Sequence, residues 1–139
     1  MLRYLVMVMA VFAAAIGSPA EARRAALVIG NSAYAHATLL PNPGADSRLI
    51  AEAARQAGFD VTLVTDQSRA GFVEALRSFR TQADGAEVAM IYYAGHGIES
   101  QGNNWLIPVD AELRESRDLT FEAVNVDALL ETLGGATLK

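Results

Sequence analysis

The chain has 139 residues, a formal net charge of −5 and no cysteine, and 52% of its residues are hydrophobic. That length and composition suffice for one domain with a single hydrophobic core. The lack of cysteine excludes a disulfide framework and a thiolate metal site. There is no basic run and no stripe of aromatic and basic residues, so we expect no nucleic-acid partner.

The first 22 residues have the layout of a secretory signal peptide. Arg3 gives a basic start, residues 5–16 form an unbroken apolar run, and Gly17-Ser18-Pro19 ends that run. Small residues at positions 20 and 22 predict cleavage after Ala22. Residues 23–139 would then be the mature domain, exported to the periplasm or the extracellular space. A membrane anchor is the alternative, but it needs roughly twenty apolar residues, so we expect no stable membrane span after cleavage.

Short apolar strands then alternate with amphipathic helices along the chain. The predicted strands are residues 25–29, 59–64 and 87–93, and a polar turn at 100–104 leads into a short hairpin arm at 105–109. Helices are predicted at residues 46–57, 70–83 and 126–133, with glycines where the first and last should stop. Their expected buried stripes are Leu49, Ile50, Ala53, Ala54 and Ala57; Phe72, Val73, Leu76 and Phe79; and Leu129, Leu130 and Leu133.

This alternation predicts an α/β fold with right-handed crossovers and a mostly parallel sheet covered on both faces. In such sheets ligands lie beyond the carboxyl ends of the strands, where the strand order reverses. With the common order two, one, three, four, that crevice lies between the first and third strands. Residues 31–45 and 94–100 would face it. The chain ends at Lys139, where a fourth strand should begin, so we expect the sheet to be incomplete at that end.

His96 follows the third predicted strand and is flanked by Gly95 and Gly97. Its ordinary pKa of about 6.5 suits a general acid or base near neutral pH. A histidine that merely caps a strand end is the alternative. The Gly97 N–H could donate to a developing oxyanion, because no side chain stands in front of it. A plain turn glycine is equally consistent with the pattern.

Other chemistries have weaker sequence support. His96 and Glu99 have a spacing used by some zinc peptidases, but the only other histidine, His36, lies in an early loop. No segment resembles the elbow that exposes a nucleophilic serine, and the first strand lacks a dinucleotide-binding glycine motif. Asp66, at the end of the second strand, is interpreted as a turn residue. We therefore expect no metal and no cofactor.

Four segments carry a family resemblance: "AALVIGNSAY", "LLPNPGADSRLIAEAARQAGFDV", "VAMIYYAGHGIE" and "NWLIPVDA". Together they resemble the bacterial caspase-like and metacaspase-like cysteine peptidases, from about Arg24 to the end of the chain. The resemblance implies a caspase-like three-layer sandwich and a peptide or protein substrate. It also implies that His96 is one half of a Cys–His dyad and that the Gly97 amide contributes to the oxyanion hole. Calcium activates some metacaspases, although the dyad chemistry needs no metal.

In that family the nucleophilic cysteine ends the fourth strand, which this chain does not contain. We therefore expect this chain to be the histidine-bearing part of a cysteine endopeptidase and to be inactive by itself. A non-catalytic binding or regulatory module on the same fold is the alternative. Asp46 matches a metacaspase-type aspartate and could bind a basic substrate side chain. Alternatively, it only stabilises the dipole of its helix, by about 0.3–1 kcal/mol.

Overall fold

The computed structural model describes residues 22–139. The predicted signal peptide lies outside the described residues except for Ala22. No helix within the described part of the chain is long and apolar enough to cross a bilayer. The strands are β1 (Arg24–Gly30), β2 (Asp60–Thr65), β3 (Val88–Ala94), β4 (Gly97–Ser100), β5 (Asn103–Leu106) and β6 (Val124–Asn125). The helices are α1 (Pro43–Gln56), α2 (Arg69–Ala83), α3 (Leu119–Glu122) and α4 (Val126–Glu131).

The main sheet is parallel, with the order β2-β1-β3. Strand β1 lies in the middle, and its residues 25–29 are all buried. Leu138 forms one further parallel bridge with Val88, on the free side of β3. The order of the first three strands is therefore confirmed, and the bridge at Leu138 lies where the predicted order places a fourth strand.

Helices cover both faces of this sheet. Ala25, Leu27 and Ile29 point to one face, where they pack with Phe72 and Phe79 of α2 and with residues of α4. Successive strand residues point to opposite faces, so Ala26 and Val28 face the other layer, where α1 contacts β1, β2 and β3. The result is the predicted α/β three-layer sandwich.

The predicted buried stripe of α1 is wrong except at Ala54. The helix begins at Pro43 rather than residue 46 and buries Pro43, Ser47, Ala51 and Ala54, whereas Leu49 is 70% exposed. The cause is the close approach of α1 to β1: a Cβ on Gly30 would lie 2.6 Å from the carbonyl oxygen of Pro43. Only small side chains fit such a contact, so the larger apolar residues of this helix turn outward.

The other elements differ less from the prediction. In α2 the residues Phe72, Leu76 and Phe79 are buried as expected, and the helix begins with a Ser68 side chain that accepts the Gly71 N–H at 3.1 Å. Helix α4 ends at Glu131, two residues early, and its Leu130 is 52% exposed. The predicted hairpin arm at 105–109 is confirmed as the second strand of a hairpin, but this strand, β5, runs from Asn103 to Leu106 and begins inside the predicted turn.

The hairpin pairs β4 with β5, and β6 joins β5 to form a small antiparallel sheet. Gln101 and Gly102 make its turn, both with positive φ (53° and 77°). Two consecutive residues with positive φ are the signature of the tight hairpin turn whose twist matches the flanking strands. This hairpin leaves the main sheet directly after His96 and folds back beside it.

Candidate active site at the carboxyl ends of β1 and β3

His96 lies at the switch point of the main sheet. From β1 the chain crosses to β2 on one side and later to β3 on the other, so the order reverses between β1 and β3. The Asn31 N–H, just after β1, donates to the Ala94 carbonyl at the end of β3 (2.9 Å). The loop after β1 and the Gly95-His96-Gly97 segment therefore meet in the crevice that the sequence predicts.

The imidazole of His96 is held from one side. Its Nε2 lies 2.7 Å from the carbonyl oxygen of Thr38, in the loop after β1. A carbonyl oxygen only accepts hydrogen bonds, so this contact assigns the proton of the neutral ring to Nε2. The Nδ1 atom is then left with a lone pair, as a general base requires.

Tyr34 fixes both the backbone and the ring plane of His96. The Tyr34 hydroxyl accepts the His96 N–H at 2.7 Å, and its ring centroid lies 4.5 Å from the imidazole at an angle of 57°. Tyr93 completes the frame: its hydroxyl donates to the His96 carbonyl at 2.8 Å and lies 3.1 Å from the Ile107 carbonyl. Main-chain and side-chain freedom of the histidine are thus both restricted.

Tyr93 remains neutral in this frame. Burial raises the pKa of Tyr93 well above its usual value, and the neighbouring Tyr34 hydroxyl raises it further. A neutral phenol keeps its proton for donation to the main-chain carbonyls. Gly95 leaves room for the tyrosine pair, since a Cβ there would lie 2.5 Å from each hydroxyl oxygen.

The Gly97 amide has a direction set by the hairpin. The Ile107 N–H donates to the His96 carbonyl at 3.0 Å, so these two residues form a hydrogen-bonded pair. In antiparallel ladders such pairs alternate with non-hydrogen-bonded ones, and Gly97 opposite Leu106 is of the second type. Its N–H therefore points away from β5, next to the catalytic candidate His96.

The Caspase domain family matches residues 23–137 of this chain. The chain belongs to the caspase-domain family. The match to this family extends over nearly all of the described residues and includes β1, β3 and the His96 segment. A caspase domain is homologous to cysteine peptidases, and the crevice beyond the carboxyl ends of β1 and β3 is where open sheets of this kind bind ligands.

Two curated relatives and two solved structures illustrate the similarity. The caspase domain is 34% identical over 95 residues to the mouse (Mus musculus) mucosa-associated lymphoid tissue lymphoma translocation protein 1 homolog, and 33% identical over 93 residues to its human counterpart. These alignments cover 68% and 67% of this chain, which spans 11% of the length of each relative.

The structural similarities show the caspase fold. The Drosophila initiator caspase Dronc superposes with a TM-score of 0.63 at 12% identity, over 79% of this chain and 41% of that one. Protein GSU0716 from Geobacter sulfurreducens gives the same TM-score at 23% identity, over 84% of this chain and 47% of its own. The fold prediction is therefore confirmed.

The third predicted site residue, Asp46, makes no hydrogen bond or ion pair with the other two among residues 22–139. It is exposed in the first turn of α1, where its N–H donates to the Asn42 carbonyl at 2.9 Å. The structure brings His96 and Gly97 together, and a substrate role for Asp46 stays a prediction.

The described part of the chain has no cluster of side chains suited to bind a metal ion. Residues 22–139 contain no group of three or more histidine, cysteine or acidic side chains that could hold an ion. Nε2 of His36 lies 3.9 Å from the Glu112 carboxylate, whereas Nε2 of His96 lies 2.7 Å from the Thr38 carbonyl. The two histidines therefore have different partners.

Sequence reasoning missed the residues that shape the loop after β1. Asp66 has a left-handed φ of 51°, as a turn residue can, but its carboxylate also accepts the N–H groups of Ser32 (2.8 Å) and Ala33 (2.9 Å). The buried Asn31 accepts from the Gln67 N–H at 2.9 Å and lies 3.3 Å from the Ile107 carbonyl. A polar residue directly after a buried strand is the signal that could have identified Asn31. Thr38 acts through its main chain and leaves no such signal.

Proposed function

We propose that this caspase domain is the histidine-bearing part of a cysteine endopeptidase. His96 Nδ1 takes the proton of a cysteine thiol, and the thiolate attacks the carbonyl carbon of the scissile peptide bond. The imidazolium then protonates the leaving amine as the C–N bond breaks, and water hydrolyses the thioester in the second half-reaction. Gly97 N–H donates to the oxyanion formed at each addition step.

The contact between His96 Nε2 and the Thr38 carbonyl carries this proposal. It keeps one ring nitrogen protonated and leaves the other to exchange a proton with the thiol. When the ring becomes imidazolium, the same carbonyl also stabilises the charge, in the way that an orienting group does in other catalytic dyads and triads. A histidine that only capped a strand would need no such partner for its side chain.

The thiol is proposed to come from the strand that starts at Leu138. The bridge places Leu138 opposite Val88, an offset of fifty positions along the two parallel strands. If the strand continues in this register, the residue opposite His96 would lie roughly seven residues beyond Lys139. That level is about two residues past Ala94, the last residue of β3. The carboxyl ends of β3 and of this strand would then meet around the imidazole.

The first experiment reads the coding sequence beyond Lys139 and expresses the full-length protein. We expect a cysteine within about two residues of the predicted level, and hydrolysis of peptide reporters with arginine, lysine or aspartate before the scissile bond. Replacing His96 by alanine should lower kcat/KM by roughly 10²–10⁴, the usual contribution of a positioned general base. His36→Ala is the matched control and should stay within about twofold of the parent.

Two outcomes would reject the peptidase proposal. One is the lack of a cysteine at this level in the full-length protein, which would favour the non-catalytic binding or regulatory module. The other is full turnover by the His96→Ala variant. The 139-residue chain by itself is expected to show no turnover, because it has a base and no thiol.

For specificity we propose that Asp46 favours a basic side chain before the scissile bond. The support is its exposed position at the start of α1, after the same loop that carries Thr38. In the full-length protein, Asp46→Asn should reduce turnover of arginyl reporters relative to aspartyl reporters. An unchanged ratio would leave Asp46 with its helix-dipole role alone.

We also propose that residues 1–22 direct export and that the domain comprises residues 23–139. The support is that inter-strand pairing starts next to the predicted cleavage point: the Arg23 carbonyl accepts the Glu87 N–H at 2.8 Å. N-terminal sequencing of the protein recovered from the periplasm or medium should begin at Arg23. Recovery of the uncleaved chain with the membrane fraction would support the anchor instead.

A further inference from the structure

A cavity of about 470 Å³ lies on the face of the molecule that carries α2 and α4, apart from the histidine crevice. Its floor is apolar and includes Val73, Leu76 and Val124, while Trp105 of β5 forms part of its wall. Three arginines of α2, Arg69, Arg77 and Arg80, line the same cavity. The cavity thus combines apolar side chains with cationic groups, although the net charge of the chain is −5.

The three arginines form a row along one side of α2. At about 100° per residue, Arg80 lies about 20° around the helix from Arg69, and Arg77 lies within about 80° of both, so the three side chains share one side of α2. At a rise of about 1.5 Å per residue, the row extends roughly 16 Å. That is the length of about five residues of extended peptide, at about 3.3 Å each.

In the part of the chain that the structure describes, the arginines of this row have no carboxylate partner. Arg55, Arg114 and Arg117 each have a glutamate within 4.0 Å, whereas none of the three cavity arginines has an acidic partner within that distance. Two acidic residues are nearby: Asp110 accepts the main-chain N–H of Arg69 at 2.8 Å, and Glu131 borders an adjoining depression with Arg80.

Arg69 is the member of the row with a buried unused donor. Its Nε is shielded from solvent and lacks a hydrogen-bond acceptor among residues 22–139. A buried donor without an acceptor is unfavourable. The Arg69 side chain also lines the cavity, where a carboxylate would supply its counter-charge.

We propose that this cavity binds an acidic peptide segment in an extended conformation, with carboxylates on the arginine row and an apolar side chain on the Val73–Val124 floor. A free phosphate fits less well, because it is too small to reach both ends of a 16 Å row and would leave the apolar floor in water. The proposal concerns binding alone and does not depend on the peptidase proposal.

The test uses a fluorescein-labelled pentapeptide, Glu-Asp-Leu-Asp-Glu, with the full chain in a fluorescence anisotropy titration. Trp105 is the only tryptophan and lines this cavity, so its emission should respond to occupancy; because Trp105 also borders a neighbouring depression, the arginine variants below assign the response to this cavity. We expect saturable binding that shifts Trp105 emission and weakens at least tenfold between 50 and 500 mM NaCl, because salt screens exposed charges. The neutral peptide Gln-Asn-Leu-Asn-Gln should bind at least tenfold more weakly.

Charge reversal locates the site. Arg77 and Arg80 are both exposed, so the double variant R77E/R80E should fold, and a circular dichroism melt checks this. It should weaken acidic-peptide binding at least tenfold, whereas R55E on α1 should change it less than twofold. Equal binding of the neutral peptide, unchanged binding by R77E/R80E, no binding by the folded chain, or an equal Trp105 response to inorganic phosphate alone would each overturn the proposal.

Discussion

The two glycines around His96 provide a matched pair for testing the tyrosine frame. An alanine Cβ at position 95 would lie 2.5 Å from the hydroxyls of both Tyr34 and Tyr93 and 2.8 Å from Cζ of Tyr93. An alanine at position 97 would meet only the Trp105 carbonyl, at 3.4 Å. Gly95→Ala must therefore displace at least one tyrosine, whereas Gly97→Ala needs only a slight adjustment.

The magnitude follows from two contributions. Overpacking a well-filled site costs about 1–3 kcal/mol. Moving the hydroxyls also breaks hydrogen bonds to the His96 N–H and carbonyl, at about 1 kcal/mol each. Gly95→Ala should thus lower the free energy of unfolding by about 3–5 kcal/mol, a large part of the roughly 5–15 kcal/mol typical of a domain.

Thermal and urea unfolding followed by circular dichroism would measure this effect. At roughly 4 °C per kcal/mol for a domain of this size, Gly95→Ala should lower Tm by about 12–20 °C, and Gly97→Ala by less than about 4 °C. If both variants lost the same stability, or if Gly95→Ala lost under about 1 kcal/mol, the tyrosine pair would not be a rigid support for His96.

Three further predictions concern stability. The pKa of Tyr93 in the folded state is raised above the ordinary value near 10, so its contribution to the free energy of unfolding is complete below pH 10 and is lost as the pH rises further. Urea unfolding midpoints at pH 8, 10 and 11.5 should therefore fall more steeply for the parent than for Tyr93→Phe. Parallel curves for the two proteins would contradict this. Asp66→Ala should cost about 2–4 kcal/mol, because two N–H groups lose their acceptor and alanine disfavours positive φ, while Asp66→Asn should cost about 1 kcal/mol; equal losses in urea melts would refute the loop-anchor role. Phe72→Ala should cost about 3–5 kcal/mol and the exposed Leu49→Ala less than about 0.5 kcal/mol, and a large loss for Leu49→Ala would restore the originally predicted stripe.

The main sheet was predictable because its signals are local. Buried parallel strands are apolar along their whole length, and the alternation of strand and helix allows few topologies. The prediction of the buried stripe of α1 was wrong for a reason that the hydrophobicity of the helix itself cannot show. Its buried side is selected by the clearance above Gly30, a residue in another element, and that clearance favours Ser47 and Ala51 over Leu49.

The candidate site also has one part that the sequence predicts and another part that it does not. His96 was predictable because the two glycines and the preceding strand are its neighbours in sequence. Its supports are not: Thr38 is 58 residues away and Tyr34 is 62 residues away. Tyr34 could be recognised only as a polar aromatic residue in a loop, and Thr38 contributes an atom that every residue has. A residue that acts through its main-chain carbonyl is selected by where its loop places it. The start of this loop is anchored by side-chain oxygens: Asp66 accepts the N–H groups of Ser32 and Ala33, and Asn31 accepts the N–H of Gln67. The part of the site that sequence patterns miss is therefore the part that orients the histidine.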